Sequence, residues 1–328
     1  MREVTGIGER RHLDMKWRLF ILGIALPLFA IPNLRAQDHL VFSPQWMAQA
    51  QFAGYYVAQE LGFYREAGLE VEIVHPSLTQ QAVTRVKNSQ SQVMTMDLCQ
   101  AMQFIANGTP LVNILQTSMN NSVTIVSRRG KDPLTQHGER LGLWPFGFNQ
   151  MAICLNEKEK MNYDLVYFSS GINLFVSGAI DATLAMSYNE YYQIIEAGFS
   201  LSDENVYRFC DHGYNIQEDG VYMARDYYES HKDQAQRFAA ASRRGWEWAA
   251  EHPDETHDIV MSYVRKYCIA TNSVQQRLML KEILRLQVDR ESGRREFRLR
   301  PDMVEKASNL MFESKLIARP VTYEELIP

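Results

Sequence analysis

Residues 46–58 read Trp46-Met47-Ala48-Gln49-Ala50-Gln51-Phe52-Ala53-Gly54-Tyr55-Tyr56-Val57-Ala58, and this run decides the fold once its flanks are taken with it. Before it stands a short apolar stretch, Leu40-Val41-Phe42; after it come Gly62-Phe63-Tyr64 and then Leu69-Glu70-Val71-Glu72-Ile73-Val74. Residues 51–61 predict a helix that stops at Gly62, because glycine accepts the left-handed backbone of a helix end without a steric penalty. The alternation of apolar and charged side chains over 69–74 has the period of two that a half-buried strand requires. Strand, helix and strand in so short a span make the unit from which a parallel sheet covered by helices is built. Gly54 is out of place in such a helix, where it costs about 1 kcal/mol against alanine. Its presence implies that another backbone, or a ligand, comes close there.

The same alternation extends along the chain. A helix over 79–88, a strand over 93–96 and a helix over 99–107 ended by Gly108 precede strands at 111–115 and 122–126, which complete a first lobe and lead out of it. A second series starts near Arg140, with strands at 141–143, 165–168 and 182–186 alternating with helices at 150–157, 172–177 and 190–197. Strands at 206–209 and 221–224 carry the chain back, and from Tyr227 onward the pattern is helical, over 234–251, 253–266, 274–286 and 301–313. The expected architecture is α/β, with two lobes and a helical C-terminal part. Lobe one takes residues 37–124 and 222–328, and lobe two takes 125–221. Paired crossings near 122–128 and 213–224 join them, and a ligand belongs between the lobes, at the carboxyl ends of the strands.

Composition excludes several classes. With 328 residues, 46% hydrophobic and 22% charged, the chain can bury two modest cores. A formal charge of -5 without long blocks of one sign argues against a nucleic-acid partner. Met15-Lys16-Trp17-Arg18, an apolar run over 19–31 and the small residue Ala36 have the order of a cleaved export signal, which places the mature protein in the periplasm. That run is shorter than the roughly 20 residues a membrane-spanning helix needs. No cysteine follows it to carry a lipid anchor, and residues 1–14 read as an over-extended start. The four cysteines, Cys99, Cys154, Cys210 and Cys268, include no CxxC pair and suggest neither a metal cluster nor a disulfide framework. Buried apolar roles suit them better. A monomer is expected. The arginine-rich stretch 290–300 reads as a solvated loop.

The opening run, with Gly68-Leu69, Gly108-Thr109-Pro110, Gly178-Ala179-Ile180-Asp181-Ala182, and Tyr188-Asn189-Glu190 ahead of Gly198, resembles the solute-binding proteins for thiamine pyrimidine precursors, alkylsulfonates and taurine. The likeness covers roughly residues 38 to 265. That resemblance implies a two-lobed, type II periplasmic-binding-protein fold and a small ligand, a pyrimidine precursor first, with a sulfonate or another small heterocycle also open. It also implies service beside an ABC-type permease or, alternatively, a membrane sensor kinase. The same family contains a pyrimidine synthase, whose reaction uses a lysine that holds pyridoxal phosphate, a histidine consumed as substrate and a cysteine-rich iron site. The matching positions here are Met96 and Gln100, with Cys210 alone near the third, so the resemblance implies a receptor without cofactor or metal rather than an enzyme.

Candidate contacts follow from position. Trp46, just past a strand, either stacks on a planar ligand or plugs the core. The helix start at Gln49 and Gln51 offers backbone N–H groups to an anionic or carbonyl group, and Tyr55 belongs to the same run. Ser77 ends the second strand. Asp97 ends the third, where it either meets ligand or caps the next helix. Asn120 stands before the outward crossing, as a ligand contact or a turn residue, and Trp144 offers an opposite wall. Tyr188, Asn189 and Glu190 combine a ring, an amide and a carboxylate, a set that suits an aminopyrimidine. The resemblance implies a contacting role for Glu190, against which stands its ordinary value as an acidic residue opening a helix.

Overall fold

The structure, a computed structural model, describes residues 37–77, 81–128, 132–135 and 137–328. The expected export signal and its cut after Ala36 lie outside the described residues. β1 (Asp38–Ser43) leads through a single turn of tighter helix, Ala50–Phe52, into α1 (Ala53–Glu60), and a short α2 (Phe63–Glu66) then precedes β2 (Leu69–Ile73). α3 (Ala82–Lys87), β3 (Val93–Asp97), α4 (Leu98–Ala106) and β4 (Leu111–Gln116) follow. The chain then runs through β5 (Val123–Ser127), β6 (Arg140–Leu143), α5 (Gln150–Lys158), β7 (Asp164–Tyr167), α6 (Asn173–Ser177), β8 (Ala182–Met186), α7 (Glu190–Glu196) and β9 (Val206–Arg208). β10 (Asp219–Ala224) returns it to helices α8 (Arg225–Ser230), α9 (Lys232–Glu251), α10 (Pro253–Lys266), α11 (Ser273–Leu286) and α12 (Pro301–Glu313).

Two five-stranded sheets result, ordered β2-β1-β3-β10-β4 and β7-β6-β8-β5-β9, and each belongs to one lobe of a type II periplasmic-binding-protein-like fold. β1 runs parallel to β2 and β3, and β6 runs parallel to β7 and β8, so the βαβ units expected from the alternation are present in both. The sheets are nonetheless mixed. β10 lies antiparallel between β3 and β4, and β5 lies antiparallel between β8 and β9. Both are crossing strands, which enter the far sheet from the other lobe and so run against its direction. For the same reason β5, expected to complete the first lobe, pairs wholly within the second sheet.

The close approach implied by Gly54 is made by a helix and not by a ligand. A Cβ on Gly54 would lie 2.2 Å from Cδ2 of Trp246, and one on Gly245 would lie 2.1 Å from the carbonyl oxygen of Gly54. The two glycines therefore let α1 and α9 cross nearly backbone to backbone. Trp246 seals the crossing and meets Tyr55 edge to face, with ring centroids 5.5 Å apart. The two crossing segments, 117–122 and 212–218, are bonded to each other: Asn121 N–H donates to Asn215 Oδ1 at 2.8 Å, and Ser122 Oγ donates to Glu218 at 2.6 Å. No helix of the described residues is long and apolar enough to cross a membrane.

Candidate functional site

The loops after β1, β2, β6, β7 and β8 converge on a cavity of about 560 Å³. That volume falls in the range of small-molecule clefts. Each of these loops follows a strand's carboxyl end, where side chains leave the sheet and open on the space between the lobes. From the first sheet come Trp46, Gln49, Gln51 and Ser77; from the second come Trp144, Tyr188, Asn189 and Glu190. Eight of the eleven residues expected from sequence thus line one cavity. Trp46 is 37% exposed, too open for a core plug and placed as a ring at the mouth.

The other three lie elsewhere. Tyr55 is buried behind the cleft between Phe42 and Trp246. Asp97 caps α4, its carboxylate accepting the Gln100 N–H at 3.1 Å. Asn120 is buried in the outward crossing, and its amide donates to the carbonyls of Leu286 and Val288 at 3.0 and 2.7 Å. The helix start also departs from expectation. The N–H of Ala50 is already taken, by Gln276 Oε1 of α11 at 2.8 Å, so this donor is not free for a ligand.

A polar chain organises the first wall. Gln49 Nε2 donates to Gln51 Oε1 at 2.7 Å, and Gln51 Nε2 donates to Asp219 Oδ2 at 2.8 Å. Asp219 Oδ1 accepts from Gln45 Nε2 at 2.8 Å, and the Gln45 N–H is held by Thr95 Oγ1 at 2.8 Å. On the second wall Glu190 accepts from the Met186 N–H at 3.0 Å and from Asn189 Nδ2 at 2.9 Å, while Asn189 Oδ1 receives Gln193 and Gln275. Glu190 is only 8% exposed, and burial raises its pKa. Burial likewise pushes Asp219 up to about 6 and Asp97 to about 7, and it lifts Glu218 well above the usual carboxylate range.

Sequence reasoning missed His75 and Asp219. His75 follows the end of β2 and lines the cavity, its Nδ1 2.6 Å from the Trp46 carbonyl and its Nε2 2.8 Å from the Tyr56 hydroxyl. Burial, more than the hydrogen bond to Trp46 restores, lowers its pKa to about 4. A carbonyl only accepts, so Nδ1 carries the proton and Nε2 accepts from Tyr56. Asp219 opens the strand β10, and its reach to Gln45 and Gln51 depends on β10 being inserted beside β3, which no local pattern announces. Met96 and Gln100 also line the cavity. Among the described residues no group of three or more His, Cys, Asp or Glu could hold a metal ion.

Comparison with solved structures shows the same fold. The periplasmic aliphatic sulphonate binding protein SsuA from Escherichia coli superimposes with a TM-score of 0.64 at 13% identity, covering 88% of this chain and 97% of that one. The SsuA protein from Xanthomonas axonopodis pv. citri bound to MOPS gives 0.64 at 10% identity, with 89% and 99% covered. A ligand-binding component of an ABC-type import system from Staphylococcus aureus, with zinc bound, gives 0.65 at 10% identity, with 89% and 97% covered. Among curated proteins no match is found. The family model described as NMT1/THI5 like matches residues 49–256, a span that opens on the Gln49–Gln51 wall and closes beyond Glu190 and Asp219, and the chain belongs to that family.

Proposed function

We propose that this protein captures a small planar heterocycle between its lobes, as the extracytoplasmic receptor of an ABC-type importer, with a thiamine pyrimidine precursor as the model ligand. The observation that carries this reading is the cavity itself, in which Trp46 and Trp144 stand with Gln49, Gln51, Asn189 and the Glu190 carboxylate around a space of ligand size. Rings bind a flat molecule by stacking, and the amides and carboxylate fix its edge. Import is supported by the structural neighbours, which include a component of an ABC-type import system. The residues at the synthase positions, Met96 and Gln100, form neither a Schiff base nor an imidazole and support capture over chemistry. Lobe one would comprise residues 37–124 and 222–328 and lobe two 125–221, adjusted at each border so that β5 and β10 stay whole. Export with cleavage after Ala36 completes the reading, and mass spectrometry of periplasmic protein should find an N-terminus at or within a few residues of Gln37.

The direct test is calorimetry with an aminopyrimidine bearing a hydroxymethyl group. Trp46→Ala should weaken binding by about tenfold or more, since a lost stacking partner removes on the order of 1 kcal/mol beyond its buried area. Because Trp46 sits at the mouth, the thermal unfolding of the ligand-free variant should stay close to that of the parent. Equal affinity in parent and variant would remove Trp46 from the site.

A further inference from the structure

We infer, resting on the heterocycle-capture reading, that the cleft selects by charge: it holds a neutral or singly cationic ring carrying N–H donors and turns away the same ring when it bears a phosphate or sulfonate. No Lys or Arg is among the described residues that line the cavity. His75, the lining residue that could supply a positive charge, has both ring nitrogens engaged, and its pKa of about 4 keeps it neutral. Lys266, whose charge helps lower that value, is exposed and lies over the rings of Tyr263 and Tyr267, outside the lining. An anion entering this space would meet no cationic side chain among the described lining residues.

Several of the polar groups are also committed in a way that suits an anion poorly. Asp219 draws an N–H from each of Gln45 and Gln51, and Gln51 draws one from Gln49, so one of the two N–H donors of each amide is already engaged. Gln45 Oε1 is buried and has no donor. The Ala50 N–H, the donor most suited to an oxyanion at the helix start, is filled by Gln276. On the facing wall Glu190 presents a carboxylate, a group that only accepts when ionised, held by the Met186 N–H and Asn189 Nδ2. Under the floor, Asp97 and Asp219 stand in register on neighbouring strands, with Glu218 next in the chain. An amine or amidine edge satisfies these acceptors, whereas a phosphate or sulfonate adds negative charge to a region whose own carboxyls are pushed by burial toward the neutral form.

Two matched pairs test the rule by calorimetry on the mature chain: the hydroxymethyl aminopyrimidine against its phosphate monoester, and benzamidine against benzenesulfonate. The uncharged pyrimidine should bind roughly a hundredfold tighter than its ester, and benzamidine should bind where benzenesulfonate does not, because like-charge juxtaposition opposes the anion. Glu190→Gln should narrow the first ratio to about tenfold by removing one of the opposing charges. An ester or a sulfonate that binds as well as its partner overturns the charge rule and leaves heterocycle capture standing. Failure of both pyrimidines, with benzamidine still preferred, overturns heterocycle capture and keeps the charge rule. No binding by any of the four overturns both.

Discussion

Asp219 of β10 stands in register with Asp97 of β3, so two buried carboxyl-bearing residues are paired across adjacent strands. Burial raises both, to about 6 and about 7, and the Asp219 charge adds to the rise at Asp97. In the unfolded chain aspartate titrates near 3.9. Between about pH 4 and pH 7 the native state therefore binds more protons than the unfolded chain, so these groups make stability fall as pH rises through that window. His75 acts in the opposite sense from about pH 4 to 6.5, because its folded pKa is lowered and its neutral form is the one folding favours. Two aspartates, with Glu190 and Glu218 raised beside them, outweigh one imidazole, and the melting temperature should be higher at about pH 5.5 than at about pH 7.5. Asp97→Asn keeps the α4 cap, since asparagine caps as well as aspartate does, and removes the group that titrates near 7. Thermal scans of this variant should show a flatter pH dependence and a gain at neutral pH; a dependence as steep as the parent's would mean that Asp97 is not the titrating group.

At the scale of elements, the α1–α9 crossing depends on two missing methyl groups. Gly245→Ala would place its Cβ against the Gly54 carbonyl at 2.1 Å, and because the obstacle is backbone the helices must part. Overpacking of this kind costs about 1–3 kcal/mol, against roughly 1 kcal/mol returned by alanine's better helix propensity. The urea midpoint of Gly245→Ala should therefore drop, and Gly54→Ala should behave alike because its Cβ would strike the buried Trp246 ring at 2.2 Å. A midpoint at or above the parent's would show that the crossing has slack. This crossing also marks how far sequence carries. The strange glycine at 54 announced a close neighbour, but nothing near it names residue 245 as that neighbour. The long helices and alternating strands were legible because each repeats its period several times. α2 and α8, a turn or so long, offer no period to read. β5 reads as an apolar strand wherever it pairs, so its place in the second sheet is fixed only by partners distant in the chain. Within the site, Trp46, Trp144 and Tyr188–Glu190 were legible because each follows a strand's end. His75 was not, because its role depends on the Trp46 carbonyl and the Tyr56 hydroxyl that hold it.

Across the whole molecule, α11 grips three parts at once. Its start caps the first wall through Gln276 and Ala50, and Gln275 Nε2 donates to Asn189 Oδ1 of the second wall at 2.9 Å. Further along, Glu282 Oε1 accepts from Ser187 Oγ at 2.7 Å. Its end receives Asn120 of the outward crossing on the carbonyl of Leu286, and Asn120 Oδ1 accepts in turn from Asn215 of the returning crossing at 3.2 Å. On the proposed division, with α11 in lobe one and residues 187–189 in lobe two, parting the lobes about segments 117–122 and 212–218 would break the Gln275–Asn189 and Ser187–Glu282 bonds and leave those at the crossings to turn with the hinge. On that division the two bonds would favour the closed form over an open one without any contact to ligand. Each is worth about 1 kcal/mol net, so the double variant Ser187→Ala and Gln275→Ala should close less completely and bind roughly tenfold or more weakly. The loss should appear mainly as faster dissociation, because closure holds a ligand already bound. Small-angle scattering should show the parent contracting when ligand is added and the double variant doing so only at higher ligand concentration. An unchanged dissociation rate in the double variant would show that these bonds persist when the lobes part, and that α11 moves with the second wall and not with the first.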